Sequence, residues 1–284
     1  MMGVPMNKPV SSRVAAIQMV STHNMSANLA RAEKLLAQAA RDGASVAVLP
    51  ENFAMLATGK MIACGQREAG PDPVIRTFLS EQARRNKLWI VGGSLPMATR
   101  PDGALVDGRV RATCLVFDDK GGEVGRYDKI HLFDAMVDDA HGQYRESDTF
   151  ESGRQVVTVD TPAGKLGLAI CYDLRFPELF RALREQGAEW VCLPSAFTWQ
   201  TGNAHWHPLI RARAIENQIW VVAPAQGGQH SSRRTTWGHS LICDPWGKVV
   251  AEIDEGPGVV TAELSLERME QTRSRMPVWE HRRL

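Results

Sequence analysis

The sequence lacks the features that mark several large classes of protein. Its five cysteines are odd in number, lie far apart and include no C-x-x-C pair, so they indicate neither a disulfide framework nor a structural zinc site. No apolar run approaches the roughly 18 residues that a membrane span needs. No secretory leader with a basic start, an apolar run and a cleavage site is recognisable. We therefore expect a cytoplasmic protein with reduced thiols and no membrane contact.

An excess of charge of either sign is also lacking. The chain has 33 basic and 32 acidic side chains, a formal net charge of +1, which leaves no electrostatic basis for binding nucleic acid. We therefore expect a small-molecule substrate. No G-x-S-x-G motif occurs, so a serine hydrolase has no obvious nucleophile. His205, His207 and His230 are not accompanied by carboxylates or cysteines at matching spacing, so we expect no metal site.

What the sequence does contain is an alternation of short apolar runs and helical patterns, separated by turn signals. The predicted strands are 13–20, 45–49, 88–92, 112–117, 123–127, 165–170, 190–193 and 220–223. The predicted helices are 24–41, 74–86, 177–186 and 207–217. No repeat or long linker divides the chain, so we expect one α/β domain over residues 13–284, preceded by a loosely ordered leader over residues 1–12.

Three polar segments follow predicted strands, where a rigid sheet presents side chains at its edge. They contain Glu51, Lys129 and Cys171. Cys171 also precedes a predicted helix beginning at Pro177, and a helix N-terminus stabilises both a thiolate and an oxyanion. Each residue alone has a simpler structural explanation. Together they supply the base, the cationic donor and the nucleophile that a cysteine hydrolase needs.

These segments resemble the motifs of the nitrilase superfamily of carbon–nitrogen hydrolases. The matching motifs are Leu49-Pro-Glu-Asn-Phe53, Arg126-Tyr-Asp-Lys-Ile-His-Leu-Phe133 and Gly167-Leu-Ala-Ile-Cys-Tyr-Asp-Leu-Arg-Phe-Pro-Glu178. The resemblance covers nearly the whole chain. It implies a four-layer α–β–β–α sandwich in which two mixed sheets are flanked by helices. It also implies no metal or organic cofactor, and association into a homodimer or higher homo-oligomer.

For the catalytic centre, the resemblance implies a Glu–Lys–Cys triad. Cys171 would attack an amide carbon and form a thioester, with Glu51 as general base. Lys129 would hold the tetrahedral oxyanion, helped by the backbone N–H of Tyr172. Glu146 corresponds to a second glutamate that many members place near the leaving group.

The second half of the chain resembles the amidase branch that acts on 2-oxo acid amides. The segments that carry this resemblance are 194–198, 202–206, 209–217 and 238–247. The substrate implied first is deaminated glutathione, hydrolysed to 2-oxoglutarate and cysteinylglycine, ahead of 2-oxoglutaramate or 2-oxosuccinamate. By the same resemblance Arg175 binds the 2-oxo acid carboxylate, a task that suits a guanidinium. Phe197 and Thr198 would assist through backbone N–H groups.

Several alternatives stay open at this point. A nitrile or N-carbamoyl hydrolase would use the same triad with a different acyl pocket, whereas a non-catalytic binding protein would keep only the fold. Arg175 alternatively forms a structural ion pair with Glu178. Arg233 and Arg234 are either solvated or in contact with the carboxylate of a leaving group.

Overall fold

The computed structural model describes residues 11–283. The helices are α1 (Met25–Arg41), α2 (Met61–Glu68), α3 (Val74–Asn86), α4 (Pro177–Glu185), α5 (Trp199–Asn217) and α6 (Leu266–Arg275). In the first half the strands are β1 (Ser11–Gln18), β2 (Val46–Val48), β3 (Trp89–Val91), β4 (Leu95–Met97), β5 (Arg111–Phe117), β6 (Glu123–Asp128), β7 (Asp134–Met136) and β8 (Gln143–Arg145). In the second half they are β9 (Thr158–Thr161), β10 (Gly164–Leu168), β11 (Trp190–Cys192), β12 (Trp220–Ala223), β13 (Gly227–Ser231), β14 (Arg234–Trp237), β15 (Ser240–Cys243), β16 (Val249–Ile253) and β17 (Gly258–Ser265).

Two mixed sheets form the centre of the molecule. The first has the strand order β17-β1-β2-β3-β5-β4, with β6 also paired to β5, and the second has the order β16-β15-β12-β11-β10-β9. Each contains three neighbouring parallel strands, β1-β2-β3 and β10-β11-β12, flanked by antiparallel ones. The parallel pairs are joined by helical crossovers, as such pairs require.

Alternate residues of β1 face two different cores. Val14 and Ala16 belong to a core that also contains the second sheet and residues of α4 and α5. Ala15 and Ile17 belong to a core shared with α1 and α3. Because successive side chains of a strand point to opposite faces, the first sheet is covered by the second sheet on one side and by helices on the other. The predicted four-layer sandwich is confirmed.

Capping side chains explain where the helices begin. Asn24 Oδ1 accepts a hydrogen bond from Ala27 N at 3.1 Å, and α1 begins one residue later. The helix predicted over 207–217 begins earlier, at Trp199, where Thr198 Oγ1 accepts from Thr201 N at 3.3 Å. Proline is usual in a first helical turn, so Pro208 favours a helix that begins near residue 207. In the structure, the Thr198 cap instead starts the helix about two turns before Pro208.

The first residues of the predicted leader, 1–10, lie outside the described residues, and Ser11 and Ser12 belong to β1. Within residues 11–283, no helix is both long enough and apolar enough to cross a membrane.

One glycine determines the path of the chain that leaves β2. Gly93 has a φ of +59°, and a Cβ at this position would lie 2.1 Å from the carbonyl oxygen of Pro50. Only glycine combines this backbone conformation with so close an approach. The segment that carries Glu51 therefore lies directly against the backbone of Gly93.

We expect Gly93→Ala to lower both thermal stability and activity, because the new methyl group would displace Pro50 and, with it, Glu51. Gly103→Ala is the matched control: Gly103 has a φ of +86°, but a Cβ there meets nothing within 4 Å. Both changes carry the cost of a left-handed backbone, about 1–2 kcal/mol. Thermal unfolding should therefore show a clearly larger loss for Gly93→Ala, and equal losses would contradict the steric explanation.

Candidate active site

Cys171 lies on a sharp turn between β10 and α4. It is the first residue of a short 3-10 turn, Cys171–Arg175, and has a φ of +47°. Its backbone N donates to Pro194 O at 2.9 Å. Positive φ values are uncommon for residues other than glycine, and such strained positions cluster at functional sites. The sequence predicts no element for residues 171–176, between a strand and a helix; the structure forms this turn there, and α4 begins at Pro177, as predicted.

Lys129 is the central charge of the site. It follows β6, and its side chain is only 1% exposed. Its Nζ donates to Glu51 Oε1 at 2.9 Å and lies 2.9 Å from both carboxylate oxygens of Glu146. Three of the four residues singled out for catalysis are therefore in direct contact.

The surrounding charges set the protonation states of the site. Burial by itself lowers the pKa of Lys129, but Glu146 and Glu51 outweigh it and raise this pKa well above the usual value. Burial raises the pKa of the Cys171 thiol well above its usual value; the charge of Glu51 adds to this, and that of Lys129 opposes it. The resting site therefore holds an ammonium group and a neutral thiol, and the thiol needs a base in order to react.

The pKa of Glu146 is also raised from its usual value. Burial is the main cause, Lys129 opposes it and Glu51 adds to it. Its Oε2 accepts a hydrogen bond from Phe133 N at 2.6 Å. Glu146 therefore loses its proton less readily than an ordinary carboxyl group, which suits a group that exchanges protons.

Two cavities meet at Cys171. The larger has a volume of about 140 Å³ and is lined by the four predicted catalytic residues, Glu51, Lys129, Glu146 and Cys171. The smaller, about 20 Å³, is lined by the four predicted substrate-binding residues, Tyr172, Arg175, Phe197 and Thr198. Cys171 and its neighbours Phe133 and Ala196 line both. The nucleophile candidate thus faces two compartments.

Arg175 contacts aromatic rings. Its guanidinium carbon lies 5.7 Å from the ring centroid of Tyr172 and 5.3 Å from that of Phe197. One nitrogen, Nη1, lies 3.2 Å from His205 Nδ1. Within residues 11–283 no ion pair joins Arg175 to Glu178 or to any other carboxylate. The charge of Arg175 is therefore available to a ligand in the smaller cavity.

The two arginines at the turn between β13 and β14 differ in position. Arg233 is exposed, whereas Arg234 lines the larger cavity with its guanidinium 5.5 Å from the ring centroid of Tyr144. The Nε of Arg234 is buried and has no hydrogen-bond partner among the described residues. No carboxylate of the described residues pairs with Arg234, so its guanidinium group is available to an anion in the larger cavity.

A buried carboxylate to which the sequence analysis assigned no role joins the two halves of the site. Asp173 Oδ2 accepts from Ile170 N at 2.8 Å and from the Tyr127 hydroxyl at 2.7 Å. Its Oδ1 accepts from His131 N at 3.1 Å and lies 2.7 Å from His131 Nδ1. Tyr127 and His131 flank Lys129, so Asp173 holds the Lys129 segment against the Cys171 turn. Tyr127, His131 and Asp173 all lie in the motifs quoted above. Their membership of these motifs was the only sign in the sequence that they belong to the site.

A buried cysteine on a strained turn, beside a Glu–Lys pair at the junction of two packed sheets, is an arrangement that fits attack on a carbonyl or nitrile carbon. The model of the family described as carbon-nitrogen hydrolase matches residues 13–274, and the chain belongs to this family. It is a hydrolase of amide carbon–nitrogen bonds. The predicted superfamily and enzyme class are confirmed.

Individual relatives match over nearly the whole chain. A deaminated glutathione amidase of Yersinia enterocolitica is 40% identical over 273 residues, which cover 96% of this chain and 93% of that one. A protein of the same name from Synechocystis sp. (strain PCC 6803 / GT-S) is 42% identical over 272 residues, covering 94% and 97%. The crystal structure of Saccharomyces cerevisiae Nit3, a member of branch 10 of the nitrilase superfamily, superposes with a TM-score of 0.83 at 33% identity, covering 96% and 97%.

We expect Tyr127→Phe to lower the free energy of unfolding by about 1–3 kcal/mol, because it removes the hydroxyl that donates to the buried carboxylate of Asp173. Ile130 N, which donates to the Tyr127 hydroxyl at 3.2 Å, loses its acceptor as well. Urea denaturation measures the change. Tyr144→Phe is the control for stability, since its hydroxyl bonds to Asp139 in a partly exposed position and should cost less. An unfolding free energy that stays unchanged in Tyr127→Phe would refute the role given to Asp173.

Proposed function

We propose that this amidase hydrolyses deaminated glutathione to 2-oxoglutarate and cysteinylglycine through a thioester on Cys171. The observation that carries the proposal is the pair of arginines in the two compartments that share Cys171. Arg175 lines the smaller compartment and Arg234 the larger one, and neither is paired with a carboxylate of the described residues.

Deaminated glutathione has one carboxylate on each side of the amide bond to be cleaved. The 2-oxo acid carboxylate belongs to the acyl part, and the glycine carboxylate belongs to the leaving cysteinylglycine. Arg175 would bind the first and Arg234 the second, each through the planar fork that suits a carboxylate. An ω-amide such as 2-oxoglutaramate releases ammonia and leaves Arg234 without a partner. The names of the relatives at about 40% identity add support.

Acylation begins from the neutral thiol. Glu51 takes the thiol proton as Cys171 Sγ attacks the amide carbon, and the carbonyl oxygen becomes an oxyanion. The ammonium group of Lys129 stabilises this charge, and the N–H of Tyr172 assists. The first hydrogen bond of the turn runs from Asp173 N to Ile170 O at 3.0 Å, so the Tyr172 N–H precedes it and is open to a substrate oxygen.

Collapse of the tetrahedral intermediate breaks the carbon–nitrogen bond and expels the amine, which takes a proton from a carboxyl group. Glu51 holds the proton that it took from the thiol, and Glu146 lies in the same compartment as Arg234, where it orients the leaving amine. Glu51 then removes a proton from water as the water attacks the thioester. This step releases 2-oxoglutarate and restores the thiol, and the cycle needs no metal or organic cofactor.

We also propose a cytoplasmic location. All five cysteines are free and buried, which suits a reducing compartment. The homodimer or higher homo-oligomer implied by the family resemblance stays a prediction, and so does the organisation of residues 13–284 as a single domain.

Cys171→Ala is expected to reduce the release of 2-oxoglutarate from deaminated glutathione by more than about 1,000-fold, because no other group replaces the nucleophile. Circular dichroism and thermal unfolding should match those of the unaltered protein. Cys64→Ala is the control: Cys64 is buried in α2 and lines neither cavity, so it should keep the rate. Turnover that survives in Cys171→Ala would end the proposed mechanism.

Arg234→Met is expected to lower kcat/KM for deaminated glutathione by about 10- to 100-fold, the effect of losing a charged hydrogen bond of about 1.5–3 kcal/mol. The kcat/KM for 2-oxoglutaramate should change by less than about twofold. Arg233→Met, which alters the exposed neighbour, should change neither value. A strong preference of the unaltered enzyme for 2-oxoglutaramate, or equal losses for both substrates in Arg234→Met, would overturn the substrate assignment.

A further inference from the structure

Three side chains with metal-ligating atoms converge outside the active site. His207 lies on α5, His239 lies between β14 and β15, and Glu252 lies on β16. One ligand atom from each lies within 4.8 Å of the others. Glu252 Oε1 is 2.8 Å from both His207 Nε2 and His239 Nδ1. We propose that this triad binds a divalent first-row transition-metal ion, with Zn²⁺ as its best match.

The chemistry of the triad fits such an ion. Two imidazoles and one carboxylate are ligands that Zn²⁺ prefers. Zinc–ligand bonds of about 2.0–2.1 Å in a tetrahedron place neighbouring ligand atoms about 3.3 Å apart. Glu252 Oε1 therefore has to withdraw by about 0.5 Å from each histidine nitrogen, and the two histidine nitrogens, which lie within 4.8 Å of each other, also have to reach this spacing. Asp254 offers a fourth ligand, because its Oδ1 is 3.8 Å from His239 Nδ1 and its side chain is 83% exposed.

The surrounding structure holds His239 in place. Its backbone has a φ of +55°, its N donates to Asp254 O at 3.0 Å, and its carbonyl accepts from Trp206 Nε1 at 2.8 Å. Its ring stacks on Trp237 with centroids 4.3 Å apart. Contacts of this kind around a ligating imidazole orient its ring and reduce the entropy lost when the metal binds.

The triad is distinct from the catalytic site, and of the three histidines for which the sequence indicated no metal site it includes only His207. None of its three residues lines either cavity at Cys171. His230 is not a ligand: it is buried, its Nδ1 bonds to Ser21 O and its Nε2 to Thr236 Oγ1. The ion would connect α5 to β16, so we expect it to stabilise the fold and to take no part in the chemistry.

The test uses the full chain carrying Cys171→Ala, so that the catalytic thiol cannot bind the metal. After removal of metals with EDTA, ZnCl2 is titrated by calorimetry, and NiCl2 by quenching of tryptophan fluorescence. We expect one ion per chain, a rise in Tm with ZnCl2, and quenching because Trp237 stacks on His239. His239→Gln and Glu252→Gln, added singly, should each weaken binding at least tenfold.

His23→Gln is the matched control, because His23 is an exposed histidine outside the triad, and it should bind as the parent does. Circular dichroism establishes that each variant is folded. Absence of saturable binding in the parent would refute the site. So would binding that persists undiminished in both His239→Gln and Glu252→Gln. Neither result depends on the substrate proposed above, since amidase activity is not measured.

Discussion

The buried ammonium group of Lys129 is the interaction on which the active site depends. Removing a charge from water is costly unless partners compensate for it, and Lys129 has two, Glu51 and Glu146, each 2.9 Å away. Burial raises the pKa of the neighbouring Cys171 thiol, Glu51 adds to this, and Lys129 opposes it. The thiol therefore stays protonated at rest, and the nucleophile needs a base to activate it.

The packing of the two sheets brings this charge cluster and the nucleophile together. Glu51 follows β2 and Lys129 follows β6, both in the first sheet, whereas Cys171 follows β10 in the second. Neither sheet alone contains the site. Asp173 joins them at close range, since it comes from the second sheet's turn and accepts hydrogen bonds from Tyr127 and His131 beside Lys129. An error in how the sheets pack would separate the base from the thiol, and the hydrogen bonds of Asp173 oppose such an error.

The parts predictable from sequence are those encoded locally. Strand and helix periodicity located the parallel strands of both sheets and four of the six helices of residues 11–283, Asn24 marked the start of α1, and the motifs around Glu51, Lys129 and Cys171 pointed to one site. What escaped prediction depends on contacts between segments far apart in the chain. The partners of Asp173, the aromatic rings around Arg175 and the different positions of the adjacent Arg233 and Arg234 all require the folded sheets. The start of α5 is different in kind, because Thr198 and Pro208 gave competing local signals.

The distribution of paired and unpaired arginines carries the reasoning from fold to substrate. Arg100 and Arg111 both form ion pairs with Glu151, and Arg213 pairs with Glu216, as expected of arginines with a purely structural role. Arg175 and Arg234 contact aromatic rings and have no carboxylate partner among the described residues. Arg213, by contrast, contacts the ring of Phe180 and also pairs with Glu216. An aromatic ring lowers the cost of partial burial without neutralising the charge. Since both unpaired guanidinium groups line compartments that meet at Cys171, the dianionic substrate proposed above would supply the carboxylates that the protein does not.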